Sequence, residues 1–209
     1  MNQRLRFSLF TIGLVSFCSI ALLYNFDRAY GFDTAVTTYI HMFSNPAMTN
    51  VMKVITASAN WQTITLLCVV LLLLPWTRIS VGYAASASSI LTTSLNNLLK
   101  QLFHRVRPDD ILSLVAPGSF SFPSGHAMSG MVFYGLLIVL FSHRLKNKPV
   151  KYCLTGFLGL LILFIGVSRV YLGVHYPTDI LAGWSVGLCL LIIFEYAADR
   201  FTRKYVRNQ

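Results

Sequence analysis

Long apolar stretches recur along this chain, and the polar residues gather between them. A helix that crosses a bilayer needs about 20 predominantly apolar residues, each adding about 1.5 Å. The pattern predicts six such spans, at about 6–26, 61–77, 79–103, 122–142, 151–171 and 179–198. Arg4 and Arg6 before the first span are compatible with a signal peptide. Its apolar run is long, however, and "YNFDRAYG" offers no small-x-small cleavage site, so an uncleaved first helix is expected. Between the first two spans, Val36, Ile40 and Phe43 fall at helical spacing, as do Met48, Val51, Met52 and Ile55. Asn45-Pro46 separates the two sets. Two short amphipathic helices on the outer membrane face fit this pattern, and so does a packed connecting loop. The third span is rich in Ala, Ser, Thr and Asn, a composition that packs against other helices rather than lipid. The expected fold is all-α and polytopic, a single six-span membrane domain over residues 1–209 with no internal repeat.

Composition agrees with lipid as the solvent. Hydrophobic residues make up 55% of the 209 and charged residues only 11%, against roughly 25% charged in soluble domains. Mean hydropathy is +0.62. The net charge of +10 would suit a nucleic acid if it formed a patch. Its distribution points elsewhere. With an even number of spans both termini share one side, and most Lys and Arg fall there, including Arg78, Arg144, Lys146, Lys148, Lys151 and Arg200. Most acids fall on the other side. The positive-inside rule then puts both termini in the cytoplasm of a cell-membrane protein. No nucleic-acid-binding motif is visible. Cys18, Cys68, Cys153 and Cys189 each lie in an apolar run, which predicts small buried hydrophobes rather than disulfides or metal ligands.

Three polar clusters remain, all expected on the outer face. Lys100 sits near the end of the third span, and Arg107 follows seven residues later, so a continuing helix would aim both the same way until Pro108 stops it. Each cation alone also reads as an interfacial anchor, and for Lys100 by itself that is the favoured reading. "FPSGH", residues 122–126, opens the fourth span. Pro123 suits a helix start, Ser124 can cap it, and Gly125 admits a close approach. Unpaired amides of Ser124, Gly125 and His126 at that helix start would make an anion site. In "SRVYLGVHYPTD", residues 168–179, Asp179 lies four residues after His175. A carboxylate at that spacing can fix one imidazole tautomer and leave the other nitrogen as a lone pair. An ordinary His–Asp surface pair is the plain alternative. Taken together, the clusters suit a phosphate group, and no Asp, Glu, Cys or His cluster resembles a metal site.

"KQLFHRVRP" (100–108), "PSGH" (123–126) and "SRVYLGVHYPTD" (168–179) match K-x6-R-P, P-S-G-H and S-R-x5-H-x3-D in full and in order. These are the motifs of the type 2 phosphatidic acid phosphatase family of membrane lipid phosphatases, which this chain resembles in its bacterial form. The resemblance implies a six-helix core and a metal-independent, cofactor-free hydrolase acting on a lipid phosphate substrate among membrane lipids. It implies His175 as nucleophile, Asp179 as its orienting partner and His126 as proton donor and acceptor. Lys100, Arg107, Ser124, Gly125 and Arg169 would bind the phosphoryl oxygens. Phosphatidylglycerophosphate, phosphatidate and undecaprenyl diphosphate are the implied candidate substrates. His104, Arg105, Asp109 and Asp110 lie outside the fixed pattern and read as loop residues. An anion transporter or channel, and a phosphatase for small soluble esters, remain the rival readings.

Overall fold

A computed structural model describes residues 2–25, 28–108 and 120–207, and every regular element among them is helical. Helix α1 (Gln3–Asn25) is followed by two short helices, α2 (Tyr30–His41) and α3 (Pro46–Ala57). Helix α4 (Trp61–Leu73) and the single turn α5 (Pro75–Thr77) lead through a π-helical turn, Arg78–Gly82, into α6 (Tyr83–Phe103). Then come α7 (Gly125–Arg144), α8 (Lys148–Tyr171) and α9 (Pro177–Arg207).

Four of the described helices are long and apolar enough to cross a membrane: α1, α7, α8 and α9. The α3–α4 pair adds a fifth if it is taken as one span bent by 45°. By length and composition this is fewer than the expected six. Helix α4 has only 13 residues, about 20 Å of helix against a hydrocarbon core of about 30 Å. Helix α6 has 21 residues, but its buried stripe is Ala85, Ser88, Thr92, Asn96 and Lys100. That stripe faces protein, as the Ala/Ser/Thr/Asn composition predicts, and lowers the hydropathy that would mark a lipid-facing span.

Helix α7 forms the centre, with Met128, Val132, Phe133 and Leu136 at 1% exposure or less. It packs against α6, α8 and α9, and α1 lies along α9. Close approach of α9 to the start of α7 depends on Gly183. A Cβ there would lie 2.6 Å from the Ser124 carbonyl oxygen and 3.1 Å from the Ala127 Cβ. At the far end of the bundle, the Arg6 guanidinium donates to Glu195 Oε2 at 2.7 Å and Oε1 at 2.8 Å, and to Asp199 Oδ2 at 3.0 Å. This clamp brings the start of α1 beside the later turns of α9, at the end of the bundle opposite the PSGH turn.

Between α1 and α4, the structure has the two amphipathic helices rather than a loop. Asn45 begins α3 by accepting from the Met48 amide at 2.9 Å, with Pro46 at the first helical position. Met52 is buried against Tyr171, Leu172 and Val174, joined by Ile40, Met48 and Ile55. The cysteine expectation needs correction. Cys68 is buried and Cys189 half-buried, but Cys18 and Cys153 are exposed on the outside of the bundle. An apolar run in a membrane helix presents residues to lipid as readily as to protein.

Gly183→Ala is expected to force α9 away from the PSGH turn, since backbone rather than a side-chain tip stands in the way. The cost should be about 1–3 kcal/mol, read as a lowered thermal unfolding midpoint in detergent.

Candidate active site

Helix ends build the site. Helix α6 stops at Phe103 because His104 adopts a left-handed conformation (φ 48°), with its amide on the Lys100 carbonyl at 3.0 Å. Arg107 is therefore not on a continuing helix, contrary to the spacing argument. The chain turns instead, and Arg107 reaches the site from the loop, its Nη1 donating to the Val174 carbonyl at 2.8 Å. Ser121 returns the chain by donating its amide to the Arg105 carbonyl at 2.7 Å. Lys100 Nζ donates to the Phe120 carbonyl at 2.5 Å. Helix α8 ends through Gly173 at φ 68°, a conformation glycine adopts without strain. The Val174 amide bonds back to the Arg169 carbonyl at 3.2 Å. His175 follows, just before α9 begins at Pro177.

A cavity of about 710 Å³ opens among these ends, lined by Lys100, Arg107, Gly125, His126, Arg169 and His175. Trp61, Ile64 and Ile90 give it an apolar flank between α4 and α6. His175 Nδ1 lies 3.3 Å from Asp179 Oδ2, with His175 only 2% exposed and Asp179 fully buried. A carboxylate accepts only, so Nδ1 carries the hydrogen and Nε2 keeps its lone pair. Burial is the main influence on His175 and pushes it down to about 4; Asp179 pulls upward, while the Arg169 and Arg107 charges add to the depression. At neutral pH the imidazole is uncharged. Burial also lowers Arg107, against the pull of Asp179, although a guanidinium keeps its charge at any working pH. Arg169 Nη1 donates to Thr56 Oγ1 at 3.0 Å, and its Nε is buried with no partner among the described residues. His126 Nε2 lies 2.8 Å from Asn60 Oδ1.

Ser124 departs from expectation. It stands at the N-cap position of α7, but its hydroxyl makes no capping bond. That hydroxyl is buried and unpartnered among the described residues. Its amide is already taken, donating to the Asp179 carbonyl at 3.0 Å. The cause is the close approach of α9 over Gly183, which brings Asp179 against the turn. Ser124 thus sits behind the cavity wall, while Gly125 and His126 face the cavity. Helix α7 starts at Gly125, two residues after Pro123.

Sequence reasoning missed four residues here. Asn96 holds the turn by donating to the Pro123 carbonyl at 3.2 Å, and a Cβ on Gly125 would meet its Oδ1 at 2.9 Å. The signal was an amide on the same face as Lys100, four residues away. Asn60 gave no signal before α4 was seen to begin beside His126. Arg105, read as a loop residue, is buried with Asp33. His104 is exposed and stacks edge-on against Phe120 at 4.6 Å. Asp109 and Asp110 lie outside the described residues.

The family model described as the PAP2 superfamily matches residues 80–203, a stretch that contains all three motifs. The chain is 41% identical to phosphatidylglycerophosphatase B of Bacillus subtilis (strain 168) over 117 residues, 53% of this chain and 56% of that protein. It is 29% identical to an undecaprenyl-diphosphatase of Sulfolobus acidocaldarius over 132 residues, 61% of this chain and 58% of that protein. The chain thus spans a little over half the length of these curated relatives. A crystal structure of a transmembrane PAP2-type phosphatidylglycerolphosphate phosphatase from Bacillus subtilis superposes with a TM-score of 0.80 at 28% identity. That match covers 93% of this chain and 96% of the other.

Three cations around one cavity should bind a simple oxyanion. Inorganic phosphate at about 100 times its Kd should stabilise the fold by about 2.7 kcal/mol, seen as a rise in the thermal unfolding midpoint. Arg169→Gln should abolish the rise.

Proposed function

The chain belongs to the PAP2 superfamily, and from that premise we propose that it hydrolyses a phosphomonoester or diphosphate of a membrane lipid. The observation that carries this reading is His175, a neutral imidazole braced by the buried Asp179 carboxylate and facing a cavity lined by three cations. Nε2 of His175 attacks phosphorus, and a P–N bond forms as the P–O bond to the lipid breaks. His126 gives its proton to the departing oxygen. It then takes a proton from water as the water oxygen attacks phosphorus. The P–N bond breaks, releasing inorganic phosphate and restoring His175. Asp179 stabilises the imidazolium that forms in the first step.

Lys100, Arg107 and Arg169 hold the phosphoryl oxygens, joined by the first turn of α7 at Gly125; Ser124, expected among them, stands behind the cavity wall instead. A cation about 4 Å from an oxyanion gains about 4 kcal/mol at an effective dielectric near 20. Such charges act most strongly on the phosphoryl group as its charge redistributes in the transition state. They supply what a metal supplies elsewhere, so the proposed reaction needs none. The apolar flank at Trp61, Ile64 and Ile90 receives the lipid chain sideways between α4 and α6. The names of the relatives make phosphatidylglycerophosphate and undecaprenyl diphosphate the leading substrates, with phosphatidate beside them. In this reading α4 and α6 complete six spans in the cell membrane, with both termini cytoplasmic. The site opens on the extracytoplasmic side, opposite Arg78, Arg144 and Lys146.

Purified protein in detergent is expected to release phosphate from this lipid panel in the presence of EDTA. His175→Ala should lower kcat/KM by about 10⁴-fold or more; wild-type turnover in that variant, or phosphate flux through proteoliposomes without hydrolysis, would refute the assignment.

The pH dependence follows from the lowered His175. Protonation removes the attacking lone pair, so kcat/KM should fall as pH drops through about 4 rather than through the ordinary imidazole value near 6.5. A rate profile at fixed ionic strength tests this.

A further inference from the structure

We infer that Arg105 and Asp33 form a buried charge pair that positions the Asp179 carboxylate for His175, and that both are positioning residues for the reaction. This rests on the role proposed above for His175 and Asp179. Neither Arg105 nor Asp33 belongs to the three motifs.

The geometry is closed on all sides. Asp179 Oδ2 accepts from His175 Nδ1 at 3.3 Å and from the Tyr176 amide at 2.9 Å. Its other oxygen, Oδ1, accepts from Arg105 Nη1 at 2.7 Å. The same Nη1 donates to Thr178 Oγ1 at 2.8 Å, and Nη2 donates to Asp33 Oδ2 at 2.7 Å. Asp33 in turn accepts from the Thr178 amide at 2.9 Å and the Thr178 hydroxyl at 2.7 Å. The guanidinium lies against the rings of Tyr176 and Tyr24, at 4.1 and 4.8 Å from their centroids. Asp33 is 1% exposed and Arg105 8%.

Each member has a separable effect. The Arg105 fork fixes the rotation of the carboxylate, and its charge keeps Asp179 ionised rather than sharing the imidazole proton. Left alone, that charge would also cancel the field by which Asp179 stabilises the imidazolium. Asp33 offsets it, so Asp179 is held in place without being neutralised. The other ionisable groups around the pair come from several elements: Lys100 on α6, Arg107 in the loop after it, His126 on α7, Arg169 on α8, and His41 on α2 with its Nε2 on the Val170 carbonyl at 3.1 Å. Those cations face the cavity and act on the phosphate. Arg105 is bonded on the opposite side of the carboxylate.

A purely structural pin would lower stability and leave the pH profile of the folded fraction alone. A positioning pair moves the acid limb of kcat/KM, and its two members move it in opposite directions. The full-length protein is assayed in detergent against phosphatidylglycerophosphate, with His175→Ala as control. Arg105→Met removes the cation from Asp179, so the acid limb should move up and kcat should fall about 10–100-fold, the scale of losing an outer hydrogen-bond partner of a ligating histidine. Asp33→Asn keeps the shape and leaves the Arg105 charge uncompensated, so the acid limb should move down. KM should change little in either variant. Arg105→Lys keeps the charge without the fork and should recover only part of the lost kcat. Wild-type kcat and an unshifted acid limb in folded Arg105→Met overturn the inference. If that variant does not fold, the isosteric Asp33→Asn decides on the same two readings. A dead His175→Ala with unaffected pair variants sinks this inference alone. An active His175→Ala sinks the assignment of the site beneath it.

Discussion

A carboxylate shut away from water must have its oxygens met by donors, or it will not stay charged. Asp179 meets that constraint in full, and the arrangement of the site follows from how it does so. Its carboxylate takes His175, the Tyr176 amide and Arg105. Its backbone carbonyl takes the Ser124 amide. One residue therefore sets the face of the imidazole and the distance between α9 and the start of α7. In the proposed reaction the preorganisation that electrostatic catalysis needs starts from Asp179, fixed in the first turn of α9, and from its rigid hold on the loop residue His175.

The two short helices before α4 complete that rigidity. Tyr171, at the end of α8, accepts from the Asn45 amide at 3.1 Å, donates to the Asn45 carbonyl at 3.2 Å and lies 3.1 Å from Thr49 Oγ1. Thr56 on α3 holds Arg169, and Asp33 on α2 holds Arg105 and Thr178. A segment whose sequence also allowed a plain connector thus grips both the cation on α8 and the first turn of α9, just after His175.

Hydropathy made α1, α7, α8 and α9 legible, because each is a long, nearly unbroken apolar run, whether it lies on the outside of the bundle like α1 or at its centre like α7. It gave weaker guidance for α4 and α6, where length and a polar inner stripe depart from the simple rule. The three motif segments stood out in the sequence because they join residue types that a lipid-facing helix avoids, and residues from all three line one cavity. The helical link between Lys100 and Arg107 was misread, since nothing in His104 announces a left-handed residue where glycine is usual. Ser124 was misread as a cap because its amide partner, Asp179, comes from a helix 55 positions later. Arg105 and Asp33 were illegible for the same reason. Their bond spans 72 residues, and each alone looks like an ordinary polar residue near a helix end.

The clamp at the far end of the bundle bears on the order in which the molecule can be made. Arg6 meets Glu195 across 189 residues of chain. At its other end α1 lays Tyr24 over Phe122, with ring centroids 5.6 Å apart. Both sets of partners leave the ribosome long after α1 itself. Helix α1 must wait, its Arg6 unmatched, until α9 arrives to close the bundle.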